Sequence, residues 1–95
     1  MGHHVLVKPD SGSLVHLEVG DTLELRLAHV EDATWSLTML PYGVVPVEDQ
    51  VRATLRSLVF RAVHGAGGIL RFDRTTTAAE VLDVLLTVRA PSRRW

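Results

Sequence analysis

The sequence has 95 residues, the length of one domain, and 46% of them are apolar, enough to fill a single hydrophobic core. Ten basic and eleven acidic side chains leave a net charge of −1, so bulk charge argues against binding to nucleic acid or to an anionic membrane. The chain contains no cysteine, which excludes disulfides, a thiol nucleophile and any cysteine-based metal site.

The N-terminal stretch "MGHHVLVKPD" lacks the apolar segment of a signal peptide. No apolar run approaches the roughly 20 residues that a membrane-spanning helix needs. We therefore expect a cytoplasmic protein, or a secreted one if a leader has been removed. We also expect a single domain over residues 1–95, with a loose tail at 91–95.

The first third of the chain has the pattern of β-strands. "HVLVK" predicts a short strand, and "PDSG" predicts a turn. In "SLVHLEV" and "TLELRLA" apolar residues alternate with polar ones, so each segment predicts a strand with one buried face. Gly20-Asp21 lies between them and predicts a tight β-hairpin, because glycine adopts positive φ at little steric cost.

The middle of the chain fits two structures. "WSLTML" predicts a strand that starts at Trp35, but "PVEDQVRATLRSLVFRAVHG" is ambiguous. As a helix, this segment would have Pro46 in its first turn, Gly65 just past its end and most of its aliphatic side chains on one face. As a strand, it would bury alternate residues, namely Leu58, Phe60 and Ala62.

The C-terminal third repeats this ambiguity. "GILRFDR" predicts a strand, and the glycine run before it lacks the Lys-Ser/Thr of a phosphate-binding loop. In "TTTAAEVLDVLLTVRAP", Thr77 and Glu80 have the spacing of a helix capping box. The alternation of four apolar residues in the same segment favours a strand: Leu82, Val84, Leu86 and Val88.

Taken in order, these segments resemble the chagasin-like inhibitors of papain-type cysteine peptidases. "DSGSLVHLEVGDTLELRLA" resembles the family's opening strands and their Val-Gly-Asp turn. "LVFRAVHGAGGILRFDR" resembles its Phe-Arg-Ala strand, glycine turn and following strand, and "VLDVLLTVRA" resembles its closing strand. The resemblance implies that both ambiguous segments are at least partly strand. It also implies an all-β fold, an immunoglobulin-like β-sandwich of about seven to eight strands.

The resemblance also implies a function and a site. In this family three loops at one end of the sandwich form a wedge, which fills the peptidase cleft without being cut. A protein partner is therefore expected, bound by residues of three loops. These residues are Val30, Glu31, Asp32, Ala33, Thr34 and Trp35 in the first loop, Gln50, Val51, Arg52 and Ala53 in the second, and Arg74, Thr75, Thr76 and Thr77 in the third.

The loop tips depart from the family's motifs. The first loop normally reads Asn-Pro-Thr-Thr-Gly-Tyr-x-Trp, whereas "AHVEDATW" keeps only Trp35. "DQVRAT" replaces the Gly-x-Gly-Gly of the second loop, and "RTTT" replaces the Arg-Pro-Trp of the third. Glu31 stands near the threonine that approaches the catalytic cysteine, where a carboxylate and a thiolate repel each other. An inhibitor with an altered target range is therefore expected.

An alternative function uses the same scaffold without inhibition. The chain would then be a protein–protein interaction module that pairs with a partner by strand addition at a sheet edge, or that pairs with a second copy as a homodimer. The replacement of all three loop motifs favours this alternative.

Catalysis, cofactors and metals are not expected. The sequence has no recognisable cluster of acid, base and nucleophile. The acidic pairs at 31–32 and 48–49 lack the regular spacing of a calcium-binding loop. The histidines at 16, 29 and 64 lie on different predicted elements. Trp35 either anchors a partner or belongs to the core, and its place at a strand start favours the core.

Overall fold

Residues 2–76 and 78–90 are described by the computed structural model, in which they form eight β-strands and no helix. None of these residues therefore lies in a helix long and apolar enough to cross a membrane. The strands are β1 (His3–Val7), β2 (Ser13–Glu18), β3 (Thr22–Ala28), β4 (Ser36–Met39), β5 (Val44–Arg52), β6 (Leu55–Ala62), β7 (Ala66–Thr75) and β8 (Ala79–Arg89). The predicted loose tail, 91–95, lies outside the described residues.

The strands form two four-stranded sheets that pack face to face as a β-sandwich. We call them sheet A, with strand order β1-β3-β6-β5, and sheet B, with order β2-β8-β7-β4. The pairs β1–β3 and β2–β8 are parallel, and the remaining neighbours are antiparallel. The predicted all-β sandwich is confirmed.

The core lies between the two sheets and is filled mainly by alternate residues of β2, β3, β6, β7 and β8. Phe60 of sheet A and Phe72 of sheet B meet edge to face, with ring centroids 6.5 Å apart. Aromatic pairs prefer this geometry to a face-to-face sandwich. The buried apolar residues are Val15, Leu17, Leu23, Leu25, Leu27, Val44, Leu58, Phe60, Ala62, Leu70, Phe72, Leu82, Val84, Leu86 and Val88.

The helical alternatives for the two ambiguous segments are wrong. The first segment forms β5 and β6, and Pro46 lies beside a β-bulge on the edge strand instead of in a helical turn. The second forms β8, in which Glu80 is paired with Arg74 of β7. Thr77, the other half of the predicted capping box, lies outside the described residues. Burial has a period of two in β6 and β8, as a strand requires. In β8 the local capping signal cannot compensate for exposing the apolar face of the strand.

The predicted hairpin at Gly20-Asp21 is also wrong. β2 and β3 lie in different sheets, and the chain crosses the core between Val19 and Gly20. The backbone N–H of Val19 donates to Arg89 O in sheet B, whereas Gly20 N–H donates to Ala62 O in sheet A. Alternation predicts which face of a strand is buried, but it does not predict which strand is its neighbour.

Candidate functional site

Three connections converge at one end of the sandwich. They are the loop 29–35 between β3 and β4, the turn Ala53–Thr54 between β5 and β6, and the connection between β7 and β8, of which Thr76 and Ala78 are described. The N–H of His29 donates to the carbonyl oxygen of Thr54, 2.8 Å away, and joins the first two. We call this end of the molecule the loop end. The described residues of the three segments that were predicted to bind a partner lie at or beside this end.

The first loop ends in an exposed acidic tip. The N–H of Ala33 donates to the carbonyl oxygen of Val30 at 3.1 Å, which closes a turn with Glu31 and Asp32 at its centre. Both carboxylate residues are exposed, as are Thr34 and Val30, whose exposed fraction is 50%. The tip therefore presents one apolar side chain and two negative charges to a partner.

Trp35 fixes the base of the first loop. Trp35 lies just before β4, one residue outside the strand that was predicted to start there. Its side chain is half-buried and packs against the core, as expected. The guanidinium of Arg74 lies over the indole, 4.3 Å from the ring centroid, and forms an ion pair with Glu80. A cation over an aromatic face is attracted by the ring quadrupole, by about 0.5–1 kcal/mol at exposed sites. This contact ties the first loop to β7 and β8 of sheet B.

Arg56 ties the same loop to sheet A. It donates from Nη1 to the backbone carbonyl oxygen of Trp35, and from Nε and Nη2 to the two carboxylate oxygens of Asp49, at 2.9 and 2.8 Å. These two hydrogen bonds lower the pKa of the Asp49 carboxyl below its ordinary value, because they favour its charged form. Trp35 is thus held from both sheets.

The second predicted segment is mostly strand and only partly loop. Gln50, Val51 and Arg52 are the last residues of β5. Ala53 is the one residue of the predicted segment that lies in the turn, and Thr54 is the other residue of that turn. Ala53 has a φ of 53°, in the left-handed region that favours glycine. The glycines that the family motif has in this loop are missing, yet the backbone here still adopts a glycine-like conformation.

The third predicted segment also begins in a strand. Arg74 and Thr75 are the last residues of β7, and Thr76 donates from its backbone N–H to Ala78 O at 3.1 Å. Thr77 lies outside the described residues. Of this segment, Arg74 is the residue with a defined contact to the first loop, through Trp35.

Sequence analysis missed Arg56, the residue that connects the first and second segments. A signal was present, because the alternation that buries Leu58 and Phe60 also directs Arg56 inward. A charged side chain on the inward face of a strand needs a partner, and Asp49 and the Trp35 carbonyl supply it. The capping-box spacing gave no sign of the ion pair that Glu80 forms with Arg74.

The acidic and histidine residues are not arranged as a metal site. Within 2–76 and 78–90, no three His, Asp or Glu side chains come together in a geometry that could hold a metal ion. The site is therefore described by shape and charge: a protruding acidic loop, an adjacent tight turn and a framework of two arginines.

Comparison with known proteins rests on structure. No family model and no curated protein matches the sequence. Among the solved structures that the chain is similar to is the cysteine protease inhibitor EhICP2 of Entamoeba histolytica, with a TM-score of 0.80, 11% identity, and coverage of 93% of this chain and 96% of that one. The fold is chagasin-like. This confirms the resemblance at the level of fold.

Two further solved structures share the chagasin-like fold. One is the solution structure of amebosin, with a TM-score of 0.72, 10% identity, and coverage of 90% of this chain and 97% of that one. The other is PbICP-C in complex with falcipain-2, with a TM-score of 0.56, 10% identity, and coverage of 90% and 98%. Identities this low establish the fold alone, so function has to be argued from the site.

Proposed function

We propose that this chain inhibits papain-type cysteine peptidases by inserting its loop end into the substrate cleft. The observation that carries the proposal is the convergence of three connections around Trp35, which Arg56 and Arg74 hold from opposite sheets. The chagasin-like fold supports it, because one similar structure is a cysteine protease inhibitor and another is a complex with falcipain-2.

A braced loop suits inhibition for an energetic reason. Ordering a flexible loop on binding costs free energy for every side chain that is immobilised, and a loop held in place beforehand avoids most of that cost. The contacts of Arg56 and Arg74 hold the first loop at its base, while the tip at 30–34 stays exposed. The partner would therefore meet a preformed wedge.

The acidic tip decides which peptidases are suitable targets. Glu31 and Asp32 would lie close to the catalytic thiolate, whose negative charge repels them. A cleft rim that carries arginine or lysine would offset this repulsion, and an acidic rim would add to it. We infer that the targets are peptidases with a basic cleft entrance, a narrower range than neutral loop tips would give.

A titration tests the proposal. Papain and a cathepsin-like enzyme with a basic cleft entrance are each titrated with the purified protein, and residual hydrolysis of a small substrate is followed. The proposal expects inhibition that saturates at one molecule per active site. Val30→Arg, which changes an exposed apolar residue of the tip, should weaken inhibition at least about tenfold. The control is Tyr42→Arg at the opposite end, where the side chain is 74% exposed, and it should leave inhibition unchanged.

Protein binding without inhibition is the second candidate function. It is favoured by one observation, the replacement of the family's residues at all three loop tips. If both peptidases keep full activity at high micromolar protein, and the protein is folded by circular dichroism, the inhibitor proposal fails and this alternative takes its place.

A further inference from the structure

One side of the sandwich is exposed and apolar. It consists of β4, the edge strand of sheet B, and β5, the edge strand of sheet A, and we call it the β4–β5 side. Half of the exposed large apolar residues in the described part of the chain lie on these two strands or on the connection between them: Leu37, Met39, Leu40, Tyr42, Val45, Val47 and Val51. Edge strands have unpaired backbone groups that another chain can use, and an apolar side makes such pairing more favourable.

The two halves of β5 differ in whether they can accept another strand. In the first half, Pro46 lacks an N–H and a β-bulge interrupts the register between Pro46 and Glu48. Both features are common protection against pairing at a sheet edge. The second half, from Glu48 to Arg52, runs in regular register with β6 and has neither feature. Its outer edge is therefore the accessible one.

The backbone groups on that edge can be assigned. Arg52 and Leu55 flank a two-residue turn, so they form a hydrogen-bonded pair, and the pairs alternate along the strands from there. Gln50 and Glu48 consequently direct their backbone groups toward β6. Asp49 and Val51 direct their N–H and C=O groups outward, away from the sheet.

We propose that a second copy of this chain pairs with β5 along this edge, antiparallel and about a two-fold axis at Gln50. In that register Asp49 faces Val51 of the second copy, and each supplies the outward N–H and C=O that the other needs. The two sheets A then form one continuous eight-stranded sheet. The interface is isologous, as in most homodimers.

Charge complementarity selects a second copy over an unrelated strand. A two-fold axis at Gln50 places Glu48 opposite Arg52 of the second copy, and Arg52 opposite Glu48 of the second copy. Both are non-hydrogen-bonded pairs, in which side chains approach closest. Opposite charges stabilise such a pair and like charges destabilise it. Asp49 remains neutralised by Arg56 of its own chain.

The same axis also brings one apolar side chain of β4 from each copy together. Because the axis is perpendicular to sheet A, the two sheets B lie on the same side of the joined sheet. The exposed Leu37, which pairs with Phe72 of the core face, then faces Leu37 of the second copy. Met39 pairs with Arg71 on the opposite face of sheet B and does not take part. The loop ends of the two copies point in opposite directions, so the first loop of each stays accessible.

A charge-swap experiment tests this interface. Sedimentation equilibrium of the purified full chain, up to about 1 mM, should show a monomer–dimer equilibrium. Glu48→Arg and Arg52→Glu each create two like-charge pairs and should weaken the dimer about tenfold. The double variant Glu48→Arg/Arg52→Glu restores opposite charges and should return the dissociation constant to the original value. A monomer at all concentrations, or a dimer that both single variants leave unchanged, overturns the proposal.

A backbone variant tests the register independently of charge. Val51→Pro removes the N–H that points away from β6, so it should abolish the dimer and leave the monomer folded by circular dichroism. Val51→Thr is the matched control, because it keeps both the shape and the N–H, and it should dimerise normally. A dimer that survives Val51→Pro contradicts the assigned edge.

Discussion

Arg56 donates a hydrogen bond to the backbone carbonyl oxygen of Trp35, and this bond connects β6 of sheet A to the residue that precedes β4 of sheet B. The same guanidinium holds Asp49 of β5 through two further hydrogen bonds. One side chain therefore fixes the spacing of the two sheets at the loop end. The position of the first loop depends on it.

Arg56→Met should weaken peptidase binding by more than it lowers the free energy of unfolding. Methionine keeps much of the side chain's length but cannot donate, so the Trp35 carbonyl loses its arginine donor and Asp49 loses its ion-pair partner. The loss at the partly buried Trp35 carbonyl costs about 1–3 kcal/mol. The loss at Asp49 costs less, because its side chain is 50% exposed and water screens the charge. We expect the free energy of unfolding in urea to fall by about 1–3 kcal/mol. The free energy of binding to the peptidase should fall by more, because the first loop is no longer held in place.

The control for this prediction is Arg61→Met. Arg61 lies on the same strand but is exposed on the opposite face, so its replacement should change unfolding by less than about 0.5 kcal/mol. Equal effects of the two variants would mean that Arg56 has no special role in holding the loop.

Ala53→Gly should stabilise the protein. Ala53 has a φ of 53°, which is strained for any residue with a Cβ and free of strain for glycine. Relief of that strain outweighs the greater chain entropy of glycine, and we expect a gain of about 0.5–1 kcal/mol in the free energy of unfolding. Ala28→Gly, in strand β3, should instead lower it. A loss at both positions would contradict the turn geometry.

The strand pattern was predictable from sequence, and the reason is physical. Alternation in "TLELRLA" and "VLDVLLTVRA" identified the buried faces, because a strand directs successive side chains to opposite sides. All apolar residues that this alternation assigned to the inner faces of β3 and β8 are buried. Fold class follows from that pattern once the helical alternatives are excluded.

Strand neighbours and loop contacts were not predictable in the same way. The turn at Gly20-Asp21 fits a hairpin equally well, but Gly20 N–H donates to Ala62 O of a strand that is distant in sequence, while Asp21 N–H donates locally to Glu18 O. The sequence predicted Gln50, Val51 and Arg52 as residues of the second loop. It did not predict that they are the last residues of strand β5. Arg74 was predicted as a loop residue, but its contact with Trp35 depends on the pairing of β4 with β7, which places Ser36 opposite Asp73.

Asp21 should make stability depend on pH in acid. Its carboxylate is almost fully buried and accepts from the backbone N–H groups of Glu18 at 3.0 Å and Gly2 at 2.6 Å, and from His4 at 3.1 Å. These hydrogen bonds, led by that of Glu18, lower the pKa of Asp21 from 3.8 to about 2. The charged form is favoured in the folded state, so its contribution is present above pH 3.8 and is lost as the pH falls toward 2.

Asp21→Asn isolates this contribution. The amide cannot accept at both positions, so we expect a loss of about 1–3 kcal/mol at pH 7. The difference in free energy of unfolding between the two proteins should shrink as the pH is lowered from about 4 to 2. Urea titrations at several pH values measure it. A difference that stays constant over that range would contradict the lowered pKa.

Neutralising the first-loop tip should tighten inhibition. Glu31→Gln/Asp32→Asn keeps the size of both side chains and removes two negative charges from the surface that would meet the catalytic thiolate. We expect an inhibition constant for papain lower by about fivefold or more, with a weaker dependence on salt. Glu18→Gln, at the opposite end of the sandwich, should have no effect. Weaker inhibition by the neutral tip would mean that the carboxylates make favourable contacts with the enzyme.

Binding to an open and to a blocked cleft tests the central claim most directly. Isothermal titration calorimetry would measure binding of the chain to two forms of papain. In the open form a small reversible group protects the catalytic cysteine. In the filled form a covalently attached peptidyl inhibitor occupies the cleft. If the loop end acts as a wedge, the chain forms a one-to-one complex with the open enzyme and none with the filled one. Equal binding to both forms, or binding to neither, would contradict occlusion of the cleft by the loop end.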